Sequence, residues 1–188
     1  MKMMQKSRLR RFENFESTKN KMIPCSTNLI FYNDVFSKTK FMSKIMELSE
    51  DPIIYLDFDL LFSGYLESEY IEKPPNMEII KLDRENLKEL LPSVLTKISS
   101  RKTTLIVDSL NGLYSFLDDN NPSRLVNSLI MLLTTNVKFS KSILFVTCLG
   151  QKKENTWILP TGKLILEFEN INKFEINENN KKIKIRNI

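Results

Sequence analysis

The sequence predicts an α/β three-layer sandwich, with a mainly parallel central sheet between helical layers and a C-terminal antiparallel hairpin. Three observations carry this reading. Short continuous apolar runs recur as NLIFY (Asn28–Tyr32), IIYL (Ile53–Leu56), TLIV (Thr104–Val107) and ILFVT (Ile143–Thr147), and strands that are apolar along their whole length need cover on both faces. Segments with apolar residues at helical spacing lie between them, and strands that alternate with helices pair in parallel through right-handed crossovers. The expected strand ends carry Asn33-Asp34, Asp57 with Asp59, Asp108-Ser109 and Cys148. Ligands of such sheets collect at the carboxyl ends of the strands.

Taken in order, Met1–Lys21 reads as a loosely ordered arm or an N-terminal helix. The expected division is a basic N-terminal arm over residues 1–27 and a core domain over 28–188. After the first strand, Phe41, Ile45 and Leu48 with Met42 and Met46 predict a helix over Ser37–Ser49. Pro52 restarts the chain into the second strand, and Lys73-Pro74-Pro75 marks a loop before a third strand at Glu78–Leu82. Asp83 is the expected N-cap of the next helix, with Glu85 in its first turn. Leu87, Leu90, Leu91, Val94, Leu95 and Ile98 form its apolar face, and Pro92 is expected to kink or shorten it. Pro122 opens a further helix with Leu125, Val126, Leu129, Ile130, Leu132 and Leu133 on its apolar side. Lys163–Phe168 reads as a strand, and Lys173–Asn177 and Lys182–Arg186 alternate around Asn179-Asn180 as a hairpin.

Composition excludes several chemistries. At 188 residues with 41% apolar and 27% charged residues, the chain is expected to fold as a globular core without a staple. Histidine is absent, which excludes a Ser-His-Asp triad and any imidazole base or ligand. Two cysteines, Cys25 and Cys148, with no CxxC, exclude a disulfide scaffold and a cysteine zinc cluster. No apolar run is long enough for a membrane span, and the basic start has no apolar signal region, so the expected location is cytoplasmic or nucleoid-associated. Alanine is absent and glycine occurs only at positions 64, 112, 150 and 162. The composition fits an AT-rich genome, but a phosphate-cradling loop still needs glycine.

The net charge of +5 is unevenly spread. Met1–Lys21 has seven basic residues against two acidic, whereas Glu47–Val94 has twelve acidic against four basic. Lys181, Lys182, Lys184 and Arg186 make the chain end basic again. Basic segments either anchor on phosphates or form a solvated surface.

Order and spacing of motifs carry a resemblance. TLIVDSL (Thr104–Leu110) resembles the Walker B strand of the RecA superfamily. IIYLDFD (Ile53–Asp59) is similar to the strand that follows the P-loop helix there, and SILFVTCLG (Ser142–Gly150) to the strand leading into the second DNA-binding loop. The resemblance runs from about Asn28 to Phe168 and is nearest in style to small archaeal RadA/RadB-type paralogs. It implies a RecA-like sandwich. It also places a P-loop between Leu29 and Lys40, where the aligned stretch is Tyr32-Asn33-Asp34-Val35-Phe36-Ser37-Lys38-Thr39. A working loop, GxxxxGK[ST], aims backbone amides at phosphates through glycine-dependent turns. Here Lys38 and Thr39 remain, Tyr32 and Ser37 replace both glycines, and Asp34 brings a like charge toward the phosphate position. The alternative reading of Lys38 and Thr39 is two ordinary residues of a helix start.

The resemblance sets Asp59 where a glutamate would orient the attacking water, one methylene short. It sets Asp108 in the Walker B role of holding Mg²⁺ through water, the alternative being a strand-end cap. Leu149 stands in place of a polar nucleotide-sensing residue. Lys38, Thr39, Asp59 and Asp108 are therefore the candidate degenerate nucleotide site. No catalytic residue and no protein-held metal are expected, and ATP with Mg²⁺ enters only if that site is active. Asp57 and Asp59 share a strand face, but no third ligand has an obvious spacing to them.

The candidate nucleic-acid residues are Lys152, Lys153 and Trp157 in the loop Gly150–Thr161, with Arg8, Arg10 and Arg11 in the arm. A basic loop with an aromatic binds single strands by phosphate contact and stacking. Trp157 alternatively packs on the domain edge or a partner. Phe12 and Phe15 resemble the aromatic hooks by which family members engage a neighbouring subunit. The first functional reading is a non-hydrolysing accessory subunit in DNA recombination or repair, assembling with itself or a RecA-like partner and contacting single-stranded DNA or RNA. The second is a pseudo-ATPase subunit of an Elongator-type tRNA-modification complex. The third is a divergent ATPase.

Overall fold

The computed structural model describes residues 25–117, 122–153, 156–158, 171–179 and 182–187. The chain runs β1 (Thr27–Tyr32), α1 (Val35–Glu47), β2 (Ile53–Asp57), α2 (Leu61–Glu67), β3 (Met77–Lys81) and α3 (Leu87–Ser100). It continues through β4 (Thr104–Asp108), α4 (Leu110–Phe116), α5 (Pro122–Phe139) and β5 (Ile143–Leu149). A small ribbon, β6 (Gln151–Lys153) and β7 (Thr156–Ile158), precedes β8 (Ile171–Asn179) and β9 (Lys182–Asn187). The main sheet has the order β3-β2-β4-β5-β1-β8-β9. Six of its strands are parallel, and β9 closes the edge antiparallel to β8.

The expected α/β sandwich, a mainly parallel sheet with a terminal hairpin, is the one observed. The hairpin strands β8 and β9 are antiparallel to each other, and β8 joins the sheet parallel to β1 in the register Thr27↔Ile171 to Tyr32↔Ile176. The expected strand at Lys163–Phe168 and the arm lie outside the described residues, apart from its last few positions.

Strands β1, β2 and β4 are buried on every residue, and the pleat sorts the apolar side chains of the central strands between two cores. Leu29, Phe31, Ile54, Leu56, Leu105, Val107, Leu144 and Val146 point to one side, against Val94, Ile98, Val126, Ile130 and Leu133 of α3 and α5. Ile30, Ile53, Tyr55, Ile106 and Phe145 point to the other, against Phe41, Met42, Ile45 and Met46 of α1 and Phe62 of α2. Helices thus cover both faces, as parallel strands require.

Helix boundaries depart from expectation at α3. Asp83 is not its N-cap: Asn86 occupies that position without a side-chain cap, and the helix opens at Leu87. Asp83 Oδ1 instead accepts from the Glu85 and Asn86 N–H groups at 2.9 and 2.8 Å, so it closes the turn before the helix. Pro92 lies in the second turn of α3, which continues to Ser100 around it. The loop Gly150–Thr161 contains the β6–β7 ribbon rather than being irregular throughout. Among the described residues no helix is long and apolar enough to cross a membrane.

Candidate functional site

Register and pleat assemble a polar cluster at the carboxyl ends of β2, β4 and β5. Asp57 and Asp108 are direct partners in the β2–β4 register. Tyr55 and Ile106, two residues before them, pack on the α1 side, so both carboxylates face that side too. Thr147 lies one residue beyond Val146, the partner of Val107, and reaches the same place.

Helix α1 crosses this face and sends Lys38 into it. Lys38 is 1% exposed, and its Nζ donates to Asp108 Oδ1 at 2.8 Å and Oδ2 at 2.7 Å. The Tyr55 and Thr147 hydroxyls donate to the same carboxylate. Asp108, with no exposure, therefore accepts four hydrogen bonds, the full capacity of an ionised carboxylate. Asp59 Oδ2 is 4.0 Å from Lys38 Nζ, and the Tyr32 ring centroid is 5.4 Å from it. Burial, then the charge of Asp108, pushes the Tyr55 hydroxyl well above its ordinary pKa, and Tyr32 is raised by the same two causes. Both hydroxyls are neutral at physiological pH.

Asp57 is the anomaly. It is fully buried, and its Oδ2 accepts from the Ser63 N–H at 2.8 Å and the Ser63 hydroxyl at 2.5 Å. Its Oδ1 has no hydrogen-bond partner. Burial raises this carboxyl above the usual range despite the two bonds from Ser63. Asp57, Asp59 and Asp108 each offer a carboxylate oxygen, all within 4.8 Å of one another.

The link between β1 and α1 is short. Tyr32 ends the strand and Val35 begins the helix, leaving Asn33 and Asp34 between them. Asp34 is the N-cap, and its Oδ2 accepts from the Ser37 N–H at 2.7 Å. Val35, Phe36 and Ser37, aligned above with a phosphate loop, form the first turn of α1. Thr39 turns its hydroxyl back to the Val35 carbonyl at 2.9 Å. Burial raises the Asp34 carboxyl, but hydrogen bonds from Ser37 and Phe36 outweigh it and hold it below the ordinary range. A depressed folded-state pKa contributes stability above the unfolded value, and that contribution fades as pH falls through the folded value. Asp34→Ala is expected to lower stability by about 1 kcal/mol at neutral pH, the usual scale of a lost cap. Urea unfolding of both proteins at neutral and acid pH checks this: the gap should narrow in acid, and a gap independent of pH counts against the carboxylate cap.

Of the residues singled out from sequence, Lys38, Asp59 and Asp108 come together, while Thr39 is engaged within its own helix. The third acid missing from the Asp57–Asp59 pair is Asp108, contributed by the neighbouring strand. Tyr55, Ser63 and Thr147 were not foreseen. Tyr55 had a signal, since it shares a strand face with Asp57, but Thr147 becomes visible only through strand pairing. Leu149 contributes backbone rather than side chain: its N–H donates to Asn111 Oδ1 at 2.7 Å and its carbonyl accepts from Asn111 Nδ2 at 3.1 Å. Lys152 lies on β6 opposite Trp157 on β7, with Lys153 next to it in the ribbon. Arg8, Arg10 and Arg11 lie outside the described residues.

No protein-family model matches the chain, and no curated protein matches it. Solved structures do match. One is the crystal structure of a KaiC-like protein from the hyperthermophilic archaeon Pyrococcus horikoshii OT3, with 14% identity and a TM-score of 0.49, covering 86% of this chain and 76% of that one.

Proposed function

We propose that the chain is a RecA-like subunit that neither binds nor hydrolyses ATP and serves as an accessory component in DNA recombination or repair, assembled with itself or an active relative. The observation that carries this reading is the state of Lys38. Its ammonium is buried and bonded to both oxygens of Asp108, whereas the lysine of a working phosphate loop reaches the β- and γ-phosphates. The two-residue link into α1 and the Asp34 cap point the same way: the helix N-terminus that would meet a phosphate already meets a carboxylate. ATP with Mg²⁺ does not fit this arrangement, so no catalytic step is routed through it. The partner and nucleic-acid parts of the proposal rest on the basic arm with Phe12 and Phe15, and on Lys152, Lys153 and Trp157.

The test is nucleotide binding by calorimetry on the full chain, followed by single-strand binding as salt is raised. The expected result is no saturable ATP binding and no turnover above background. Weak binding to single-stranded DNA that falls steeply with salt is also expected, and it should weaken further in Lys152→Glu with Lys153→Glu. Micromolar ATP binding abolished by Lys38→Ala would overturn the nucleotide part. A clear preference for tRNA over DNA would replace recombination with the tRNA-modification reading. Absence of any nucleic-acid binding at low salt would leave a purely protein-binding subunit.

A further inference from the structure

We propose that the outer face of α5 is the docking site for the arm of the same chain, residues 1–24, seated through Phe12 and Phe15. The inference does not rest on the function proposed above. Of the eight large apolar side chains exposed among the described residues, four lie on α5: Leu125, Met131, Leu132 and Phe139. The other side of the helix, with Val126, Ile130, Leu133 and Val137, is packed in the core. The exposed row is thus a second apolar surface on the same helix. Leu125, Leu132 and Phe139 are spaced seven apart, which keeps them aligned to within about 20° per step. Single exposed apolar residues are ordinary, but a row of them marks an interaction surface.

The point where the arm meets the core selects the occupant. The Cys25 N–H donates to the Ser142 carbonyl at 3.0 Å, and the Ser142 N–H donates to the Val137 carbonyl at 2.9 Å. The first described residue after the arm is therefore bonded to the turn that ends α5, three residues beyond Phe139. Phe15 lies ten residues before Cys25, a reach of about 15 Å as helix and about 33 Å as extended chain. The row from Phe139 to Leu125 covers about 21 Å, so both phenylalanines reach it in either form. A tether this short keeps the arm at an effective concentration of about millimolar. Charge agrees. The charged residues of α5 are Arg124 and Lys138, which adjoin Leu125 and Phe139, and the helix has no acid. The arm from Phe12 to Thr18 holds Glu13 and Glu16 and no base. A second copy of α5 would instead set like charges against each other in either direction. Burial of the two phenylalanines supplies the attraction, and the acid-to-base match fixes their placement.

Photocrosslinking on the full chain tests this, with p-benzoylphenylalanine introduced at position 139, where the native side chain is 86% exposed and the core is left intact. Irradiation is expected to give a product of monomer size, linking position 139 to a peptide from Leu9–Thr18, with a yield independent of protein concentration. Phe12→Ser with Phe15→Ser is expected to cut that yield by about tenfold or more, the scale of losing two buried aromatic side chains. Leu132→Glu, on the exposed face, should cut it in the same direction, because it removes an anchor and repels Glu13 and Glu16. Lys2→Ser should leave it unchanged. A product of dimer size whose yield rises with concentration would overturn docking within one chain and give the face to the arm of a second copy. No product, links only to other segments, or a yield indifferent to the phenylalanine substitutions would overturn the docking site itself. ATP binding measured separately bears on the function proposed above and leaves this result unaffected.

Discussion

Lys38→Met is expected to lower the stability of the fold by about 3–5 kcal/mol, the scale for removing one partner of a buried ion pair. Lys38 and Asp108 are 1% and 0% exposed, so water cannot take over when the ammonium is lost. Asp108 would retain the Tyr55 and Thr147 hydroxyls but no cation, and Asp57 and Asp59 would repel it from within the same cluster. Asp108→Asn should also destabilise, because it leaves Lys38 charged and buried. The double variant separates pair from position. Removing both charges together is expected to cost much less than the two single losses added, since replacing a whole buried pair is often close to neutral. Urea unfolding midpoints at constant slope, with chelator present, measure all four proteins. Additive losses, or a Lys38→Met effect within the small range of surface substitutions, would mean that the pair is not the keystone of this face.

The architecture was legible because local and global signals agree along most of the chain. Continuous apolar runs mark all the central strands, and the pleat divides their side chains between two helical layers in a way that period-two counting recovers. What escaped is what lacks periodicity. α2 and α4 have seven residues each, barely two turns, too short for an apolar stripe to repeat. The β6–β7 ribbon has three residues per strand. Asp83 has the chemistry of a helix cap, yet it is spent on the preceding turn, where Asn86 Nδ2 also returns a bond to its Oδ2 at 3.0 Å.

The candidate site was half legible for a similar reason. Residues on one strand, such as Asp57 and Asp59, can be grouped by counting. Placing Asp108 opposite Asp57 requires the strand order, which skips from β2 to β4 past β3. The meaning of Lys38 also changes with structure. The dipeptide Lys38-Thr39 suggests a phosphate loop, but a helix that begins at Val35 carries the lysine into the sheet face, onto Asp108. The absent glycines are the physical cause: without them the chain after Tyr32 turns into helix at once.

Alanine at the two described helical glycines is expected to act with opposite signs. Gly112 lies in α4, its N–H bonded to the capping Ser109 hydroxyl at 3.2 Å. A Cβ there would sit 2.9 Å from the Phe58 carbonyl carbon and oxygen and 3.0 Å from the Asp59 N–H nitrogen. All three are backbone atoms, so no rotamer change relieves the contact. Overpacking of this kind typically costs about 1–3 kcal/mol, and it outweighs the roughly 1 kcal/mol that alanine gains over glycine within a helix. At Gly64, in α2, a Cβ meets nothing within 4 Å. Gly64→Ala therefore keeps the propensity gain and should stabilise by about 0.5–1 kcal/mol. Thermal unfolding of both variants reads the two effects together. A Gly112→Ala protein as stable as wild type would show that α4 is free to back away from Phe58 and Asp59 and that this glycine does not set their spacing.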